Sequence, residues 1–108
     1  MRDAILNEIR NRGAASFVNL QNAVEGFKGD REMYLSDYEW VYWIGISSEA
    51  IEVINSLQKD RLIELNPCHL LIYMVDGEVL KLPLVRSARK YKKPHWMPVT
   101  FSLMPAAK

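Results

Sequence analysis

The sequence predicts an α+β domain in which two to four helices precede a three-stranded antiparallel sheet and a basic C-terminal arm. Three observations support this prediction. An amphipathic helix over 48–59 runs directly into a strand-like segment, Asp76-Gly77 is a preferred two-residue hairpin turn, and cations concentrate after residue 80. At 108 residues, 49% of them hydrophobic, the chain is long enough for one domain with a single core.

Charge divides the chain near residue 80. Residues 1–80 contain 7 Lys and Arg against 13 Asp and Glu, whereas residues 81–108 contain 7 and none. We therefore expect a folded domain over 1–85 and a basic, proline-containing arm over 86–108 that packs on the same domain. Such an asymmetry indicates either an arm for an anionic partner or a tail that folds back onto its own acidic domain.

The first part of the chain is predicted to form two helices, over 3–12 and from Ser16 onward. Gly13 permits the left-handed conformation that ends the first helix, and Ser16 is a natural cap for the second. Residues 28–33 are then interpreted as a loop. Both helices place apolar residues at helical spacing: Ile5, Leu6 and Ile9 in the first, and Phe17, Leu20, Val24 and Phe27 in the second.

The segment 33–46 is open to two interpretations. Its apolar spacing fits a helix, whereas the aromatic and β-branched content of residues 38–44 fits a strand. We interpret the segment as a short helix that ends at Gly45, and the strand remains the alternative.

The clearest element is the helix over 48–59. Ser47 is its cap, and Glu49 lies in the first turn, where the helix dipole favours an acid. Helical geometry groups the aliphatic side chains inward, namely Ala50, Val53, Ile54 and Leu57. It turns the polar ones outward, namely Glu49, Glu52, Asn55, Ser56, Lys59 and Asp60. The outer face is therefore acidic.

Three antiparallel strands are predicted after this helix, with Asp76-Gly77 as the turn between the second and the third. Residues 86–93 form a basic connector, and residues 99–103 alternate like a short final strand. The three predicted strands are 62–65, 70–75 and 78–84.

The order of these elements, with a turn at Gly45-Ile46-Ser47 before the amphipathic helix and a hairpin after it, resembles the winged helix-turn-helix superfamily. The resemblance covers about residues 16–84 by shape and includes no rare motif. It implies that the helix over 48–59 enters the major groove of DNA, with the hairpin tip near phosphate or the minor groove. By this analogy the positions that read DNA are Glu52, Asn55, Ser56 and Lys59.

Phosphate affinity is expected from the basic connector rather than from that helix, because Glu49, Glu52 and Asp60 oppose phosphates. Aromatic rings interleave with the cations of the connector and are suited to stacking on bases. The alternative is a solvated segment that balances the acidic domain. The predicted contacts are Arg86, Arg89, Lys90, Lys92 and Lys93.

The dense aromatic segment over 34–43 also has two interpretations. Such clusters most often pack in a core, but rings with polar handles are enriched at interfaces as well. In the second interpretation Tyr38, Trp40 and Trp43 contact a protein partner or a second copy of the chain.

Metal binding and catalysis are not expected. Cys68, His69 and His95 are too few soft ligands for a closed zinc site in one subunit, and none of the common catalytic motifs occurs. We expect no cofactor and identify no small-molecule substrate. The single cysteine and the charged start predict a cytoplasmic protein, and the apolar run over 70–75 is too short to cross a membrane.

The sequence therefore favours a non-catalytic, DNA-associated winged-helix protein, such as a transcriptional regulator, whose basic arm supplies phosphate affinity. The alternative is a winged-helix module that binds protein through the acidic helix face and the aromatic cluster. The two differ in a structural requirement. DNA binding needs residues 86–93 exposed, whereas the alternative allows them to pair with Asp or Glu.

Overall fold

The computed structural model describes residues 1–105 and confirms an α+β fold, in which helices and strands alternate along the chain. The helices in this range are α1 (Arg2–Arg12), α2 (Phe17–Ala23), α3 (Ser48–Lys59) and α4 (Leu70–Asp76), with a 3₁₀ turn at Ser36–Tyr38. The strands in this range are β1 (Ala15–Ser16), β2 (Lys28–Leu35), β3 (Trp40–Ile46), β4 (Ile63–Pro67), β5 (His95–Trp96) and β6 (Val99–Leu103).

The strands form two three-stranded sheets within the described chain. Sheet A has the order β1-β6-β4, and both of its pairings are antiparallel. Sheet B has the order β2-β3-β5, in which β2 and β3 are antiparallel with register shifts and β3 and β5 are parallel. The predicted final strand is confirmed as β6, and it is the central strand of its sheet.

The two N-terminal helices are confirmed, because their local signals agree with the tertiary packing. Gly13 ends α1 with a φ of 80°, and α1 buries Ile5 and Ile9. The Ser16 hydroxyl accepts a hydrogen bond from the backbone N–H of Asn19, and the Asn19 side chain accepts one from the Ser16 N–H. This reciprocal cap satisfies two backbone donors at the start of α2.

The helix over 48–59 is confirmed as α3. The Ser47 hydroxyl accepts a hydrogen bond from the Ala50 N–H and donates one to the Gly26 carbonyl oxygen. The inner face buries Ala50, Ile54 and Leu57 completely, while Glu49, Glu52 and Asp60 are exposed. The predicted division into an apolar inner face and an acidic outer face therefore holds.

The short helix predicted over 33–46 is wrong, and so is the loop predicted over 28–33. Residues 28–46 form the β2–β3 pair, with a 3₁₀ turn between the strands. The strand alternative holds because β3 pairs with β2 on one side and β5 on the other, and its Val41 and Trp43 side chains are buried in the core.

The strands predicted over 70–75 and 78–84 are wrong, and with them the Asp76-Gly77 hairpin. Residues 70–76 form α4, which begins where the His69 Nδ1 accepts a hydrogen bond from the Leu71 N–H. Gly77, with a φ of 97°, ends the helix instead of turning a hairpin. Residues 78–84 form no strand, and only Leu84 makes a single bridge there, to Trp96. β4 pairs with β6 instead.

A cluster of aromatic rings joins the two sheets to the helices. The Phe17 ring stacks on Trp43 at 5.7 Å and meets the edge of Phe101 at 5.0 Å. The Tyr73 ring of α4 meets Trp96 at 5.1 Å, and its hydroxyl donates to the Val99 carbonyl oxygen at 2.6 Å. Tyr73 is the one fully buried residue of α4, so this contact explains why the apolar run docks as a helix.

Among the helices of residues 1–105, none has the length and apolar character needed to cross a bilayer.

Candidate nucleic-acid interface

The five predicted cations lie together on a solvent-exposed loop. We call residues 86–93 the basic loop, which connects the Leu84 bridge to β5 and has no helix or strand of its own. Within residues 1–105, ion pairs join Arg2 to Asp60, Arg12 to Glu8 and Arg31 to Asp30, and none involves the basic loop. The exposed cations are Arg86, Arg89, Lys90, Lys92 and Lys93.

The basic loop is held in one shape by Tyr91. The Tyr91 hydroxyl accepts hydrogen bonds from the backbone N–H groups of Arg86, at 3.0 Å, and Ser87, at 3.4 Å. The Tyr91 ring stacks on His95 with 3.8 Å between the centroids, and the Arg89 guanidinium lies 4.6 Å from the centre of the Tyr91 ring. The Tyr91 side chain therefore connects the start of the basic loop, at Arg86 and Ser87, to His95 of β5.

The aromatic segment attaches this loop to sheet B. The Trp40 indole N–H donates to the Arg89 carbonyl oxygen at 2.9 Å, and the Tyr91 N–H donates to the Tyr38 carbonyl oxygen at 3.1 Å. The Lys90 ammonium lies 5.5 Å from the centre of the Tyr38 ring, within the range of a cation–π contact. The basic loop is therefore positioned by Tyr38 and Trp40, which lie about fifty residues earlier in the sequence.

The hydrogen bonds around Tyr91 also change its acidity. Donation from the Arg86 backbone N–H favours the phenolate, and the pKa of Tyr91 falls to about 8 from an ordinary value of 10.0. A phenolate in the loop places one negative charge among the five cations.

A surface cavity of about 570 Å³ lies beside the basic loop, and we call it the side cavity. Three separate segments line it: residues 84–88, residues 67–70 and residues 97–98, together with Trp40. Arg86 belongs both to this lining and to the basic loop. The Arg86 cation is therefore adjacent to the apolar lining of the side cavity.

The α3 residues predicted by analogy to contact DNA do not join this cluster of cations. Asn55, Ser56 and Lys59 are exposed on the outer face of α3, beside the acids. The Ser56 hydroxyl accepts a hydrogen bond from Arg2, whose guanidinium also pairs with Asp60 at 2.9 Å. This part of α3 already interacts with α1.

The three predicted interface aromatics have separate roles. Trp43 is completely buried in the aromatic core, so its assignment to a partner surface is wrong and the core interpretation holds. Tyr38 and Trp40 are half-buried, and they contact each other and the basic loop.

The Cys68-His69 pair lies at the side cavity but lacks the properties of a nucleophile. Burial, and secondarily the negative charge of Asp76, raises the pKa of the Cys68 thiol to about 11. The thiol is therefore protonated near neutral pH, whereas an attacking cysteine must be a thiolate. His69 uses Nδ1 to cap α4. Among residues 1–105, no group of three or more His, Cys, Asp and Glu residues is placed to hold a metal ion.

The sequence pattern indicates the five cations but not the contacts that hold the basic loop in shape. The alternation of rings and cations over 86–95 is the one available signal, and it predicts rings that stack on bases. In the structure, Tyr91 and His95 stack on each other and maintain the shape of the loop.

No protein-family model, no curated protein and no solved structure matches this chain.

Proposed function

We propose that this protein is a non-catalytic nucleic-acid-binding protein whose basic loop binds the phosphate backbone. The observation that supports the proposal most strongly is the state of the five cations, which are exposed and have no carboxylate partner within residues 1–105. A tail that merely neutralises its own acidic domain would pair them with Asp or Glu. Five such cations on one loop match a ligand with repeated negative charges.

The fixed shape of the loop adds to this argument. Binding usually costs free energy for ordering a flexible segment, and this cost falls when the segment already has its bound shape. The contacts of Tyr91 and Trp40 supply such order before any ligand arrives. These contacts hold the backbone of Arg86 and of Arg89 in place.

The acidic face of α3 does not favour the same role. Glu49 and Glu52 are exposed there, and in a major groove they would repel the phosphates on both sides. The winged-helix resemblance, and the regulatory role that it implies, therefore remain predictions and carry no part of this proposal. DNA is the expected ligand from the sequence, and the charge pattern of the loop fits any nucleic acid.

A titration of fluorescence anisotropy with labelled DNA tests the proposal. Replacing Lys90, Lys92 and Lys93 by Ala removes three cations without touching Tyr91 or Trp40. The matched control replaces three exposed cations elsewhere, Arg10, Lys28 and Arg31, by Ala, so that the change in net charge is equal.

We expect the loop variant to lose at least about 10-fold in affinity and the control to lose much less, because contact with phosphate is local in moderate salt. Equal losses in the two variants would mean that only net charge matters. Unchanged binding of the loop variant would contradict the proposal directly.

A protein partner is the second candidate function, and α4 is the observation that favours it. The helix leaves Leu71 and Met74 each 56% exposed and Val75 85% exposed, and neighbouring Ile72 and Val79 are exposed as well. A contiguous set of exposed apolar side chains often marks an interaction surface. Equilibrium sedimentation at several concentrations tests the homodimer version, which a strictly monomeric protein would rule out.

A further inference from the structure

We infer that the preferred ligand is single-stranded nucleic acid, and that one unstacked base enters the side cavity while the basic loop holds the adjacent phosphates. The inference rests on the proposed function and adds to it the form of the nucleic acid and the place of a base. It begins from the position of Arg86, which lines the cavity and also belongs to the loop. A nucleotide likewise joins an anionic group to a flat ring.

The size and chemistry of the side cavity suit a base. Its volume of about 570 Å³ falls within the range of about 300–1,000 Å³ that is usual for ligand sites. Leu84, Met97 and Pro98 give it apolar walls, against which the flat faces of a base can pack. Ser87 and His69 also line it and bring a hydroxyl and an imidazole to bind the polar edge of a base.

Trp40 supplies an aromatic surface whose orientation is already fixed. Its indole N–H is bonded to the Arg89 carbonyl oxygen, so the ring that lines the cavity is held against the loop. Single-stranded bases bind proteins largely by stacking on such rings, and this contact tolerates any base.

The same arrangement disfavours the two competing ligands. In a duplex the bases stack on one another, and only their edges are open to a protein. A small amphiphile with one acidic group needs one cation, whereas four further cations follow Arg86 along the loop, none with a carboxylate partner within residues 1–105. A single-stranded polyanion uses both the cavity and the whole loop.

The test compares ligands on the unaltered protein and then on a variant with a filled cavity. The probes are a labelled thymidine strand of about 10 nucleotides, its duplex, and a strand of equal length made of abasic residues. Ala88 is exposed and lines the cavity, so Ala88→Trp fills the space and keeps all five cations. Ala14→Trp, at an exposed position between α1 and β1, is the matched control.

We expect the thymidine strand to bind about 5- to 150-fold more tightly than the abasic strand, which is the affinity that one stacked base usually contributes. We also expect it to bind more tightly than the duplex, although the duplex has the higher charge density. Ala88→Trp should remove the advantage of thymidine over the abasic strand, and Ala14→Trp should retain it.

Two failures of this test are distinguishable. Equal, salt-dependent affinity of the native protein for all three probes would overturn the base-binding inference and leave the proposed function standing. Absence of salt-dependent binding to every probe would overturn both. The comparison of probes on the native protein decides the inference even where Ala88→Trp does not fold.

Discussion

Two charged surfaces of this molecule are held in place in different ways. The positions of the acids of α3 are set by the helix itself. Because Ile54 and Leu57 are buried on the inner face, helical geometry places Glu49 and Glu52 on the solvent-exposed face. The basic loop has no regular structure, and its shape depends on a few contacts made by Tyr91 and Trp40. The acidic face is therefore set by local helical structure, whereas the basic surface depends on tertiary contacts.

The largest effect is expected from removing everything after Val85. Such a truncation deletes β6, the central strand of sheet A, and leaves β1 and β4 without their shared partner. We expect the shortened chain to show no cooperative thermal unfolding by circular dichroism. The control is the full-length chain with Lys90, Lys92 and Lys93 replaced by Ala, which should unfold cooperatively. A cooperative transition in the shortened chain would mean that the basic end is a separable arm.

The next effect separates the two faces of α3. Leu57→Ala should lower the free energy of unfolding by about 2–5 kcal/mol, because it opens a cavity beneath a fully buried position. Glu52→Ala, on the exposed face of the same helix, should change it by less than about 0.5 kcal/mol. Denaturant titration measures both. A large loss for Glu52→Ala would show that the acidic face takes part in packing.

The smallest effect concerns Tyr91 and pH. Because its pKa in the folded protein is about 8, below the ordinary value of 10.0, the stabilising hydrogen bonds of the phenolate are fully present above pH 10 and are lost as the pH falls through 8. The affinity for nucleic acid should show the opposite dependence on pH. The phenolate adds a negative charge to the basic loop, so affinity for phosphate should fall as the pH rises through about 8.

Tyr91→Phe removes the titrating hydroxyl and should abolish this fall in affinity. Tyr34→Phe, which removes an exposed hydroxyl on β2, should retain it. Tyrosinate absorbance followed against pH gives an independent measurement of the pKa of Tyr91. An identical pH dependence of binding in the native protein and Tyr91→Phe would assign the effect to another group.

The sequence was sufficient where the signal was local. Ser47, the spacing of Ile54 and Leu57, and the acidic outer positions predicted α3 correctly, because cap and periodicity agree over twelve residues. The alternation in residues 99–103 likewise predicted β6, although nothing in the sequence indicated that this strand would lie at the centre of a sheet.

The sequence was insufficient where short segments depend on distant partners. An apolar run of six residues, such as 70–75, has no distinctive period, and Asp76-Gly77 suits both a hairpin turn and the end of a helix. The docking of the Tyr73 hydroxyl between Phe17 and Val99 decides in favour of a helix, and these contacts are not local in sequence.

The candidate site divides in the same way. The cluster of Lys and Arg residues over 86–93 is visible in the sequence itself. The cations of the basic loop could therefore be predicted without knowledge of any tertiary contact. The side cavity brings together Trp40, Cys68 and Met97 from separate parts of the chain, so no sequence window contains it.

The salt dependence of nucleic-acid binding tests the central claim most directly. If the basic loop neutralises five phosphates, a log–log plot of affinity against salt concentration should have a slope of about −3.5 for a single strand and about −4.5 for a duplex. Replacing Lys90, Lys92 and Lys93 by Ala should bring the single-strand slope to about −1.4, because only two of the five cations then remain to neutralise phosphate. A native slope near zero, or a slope that these three substitutions leave unchanged, would contradict the account.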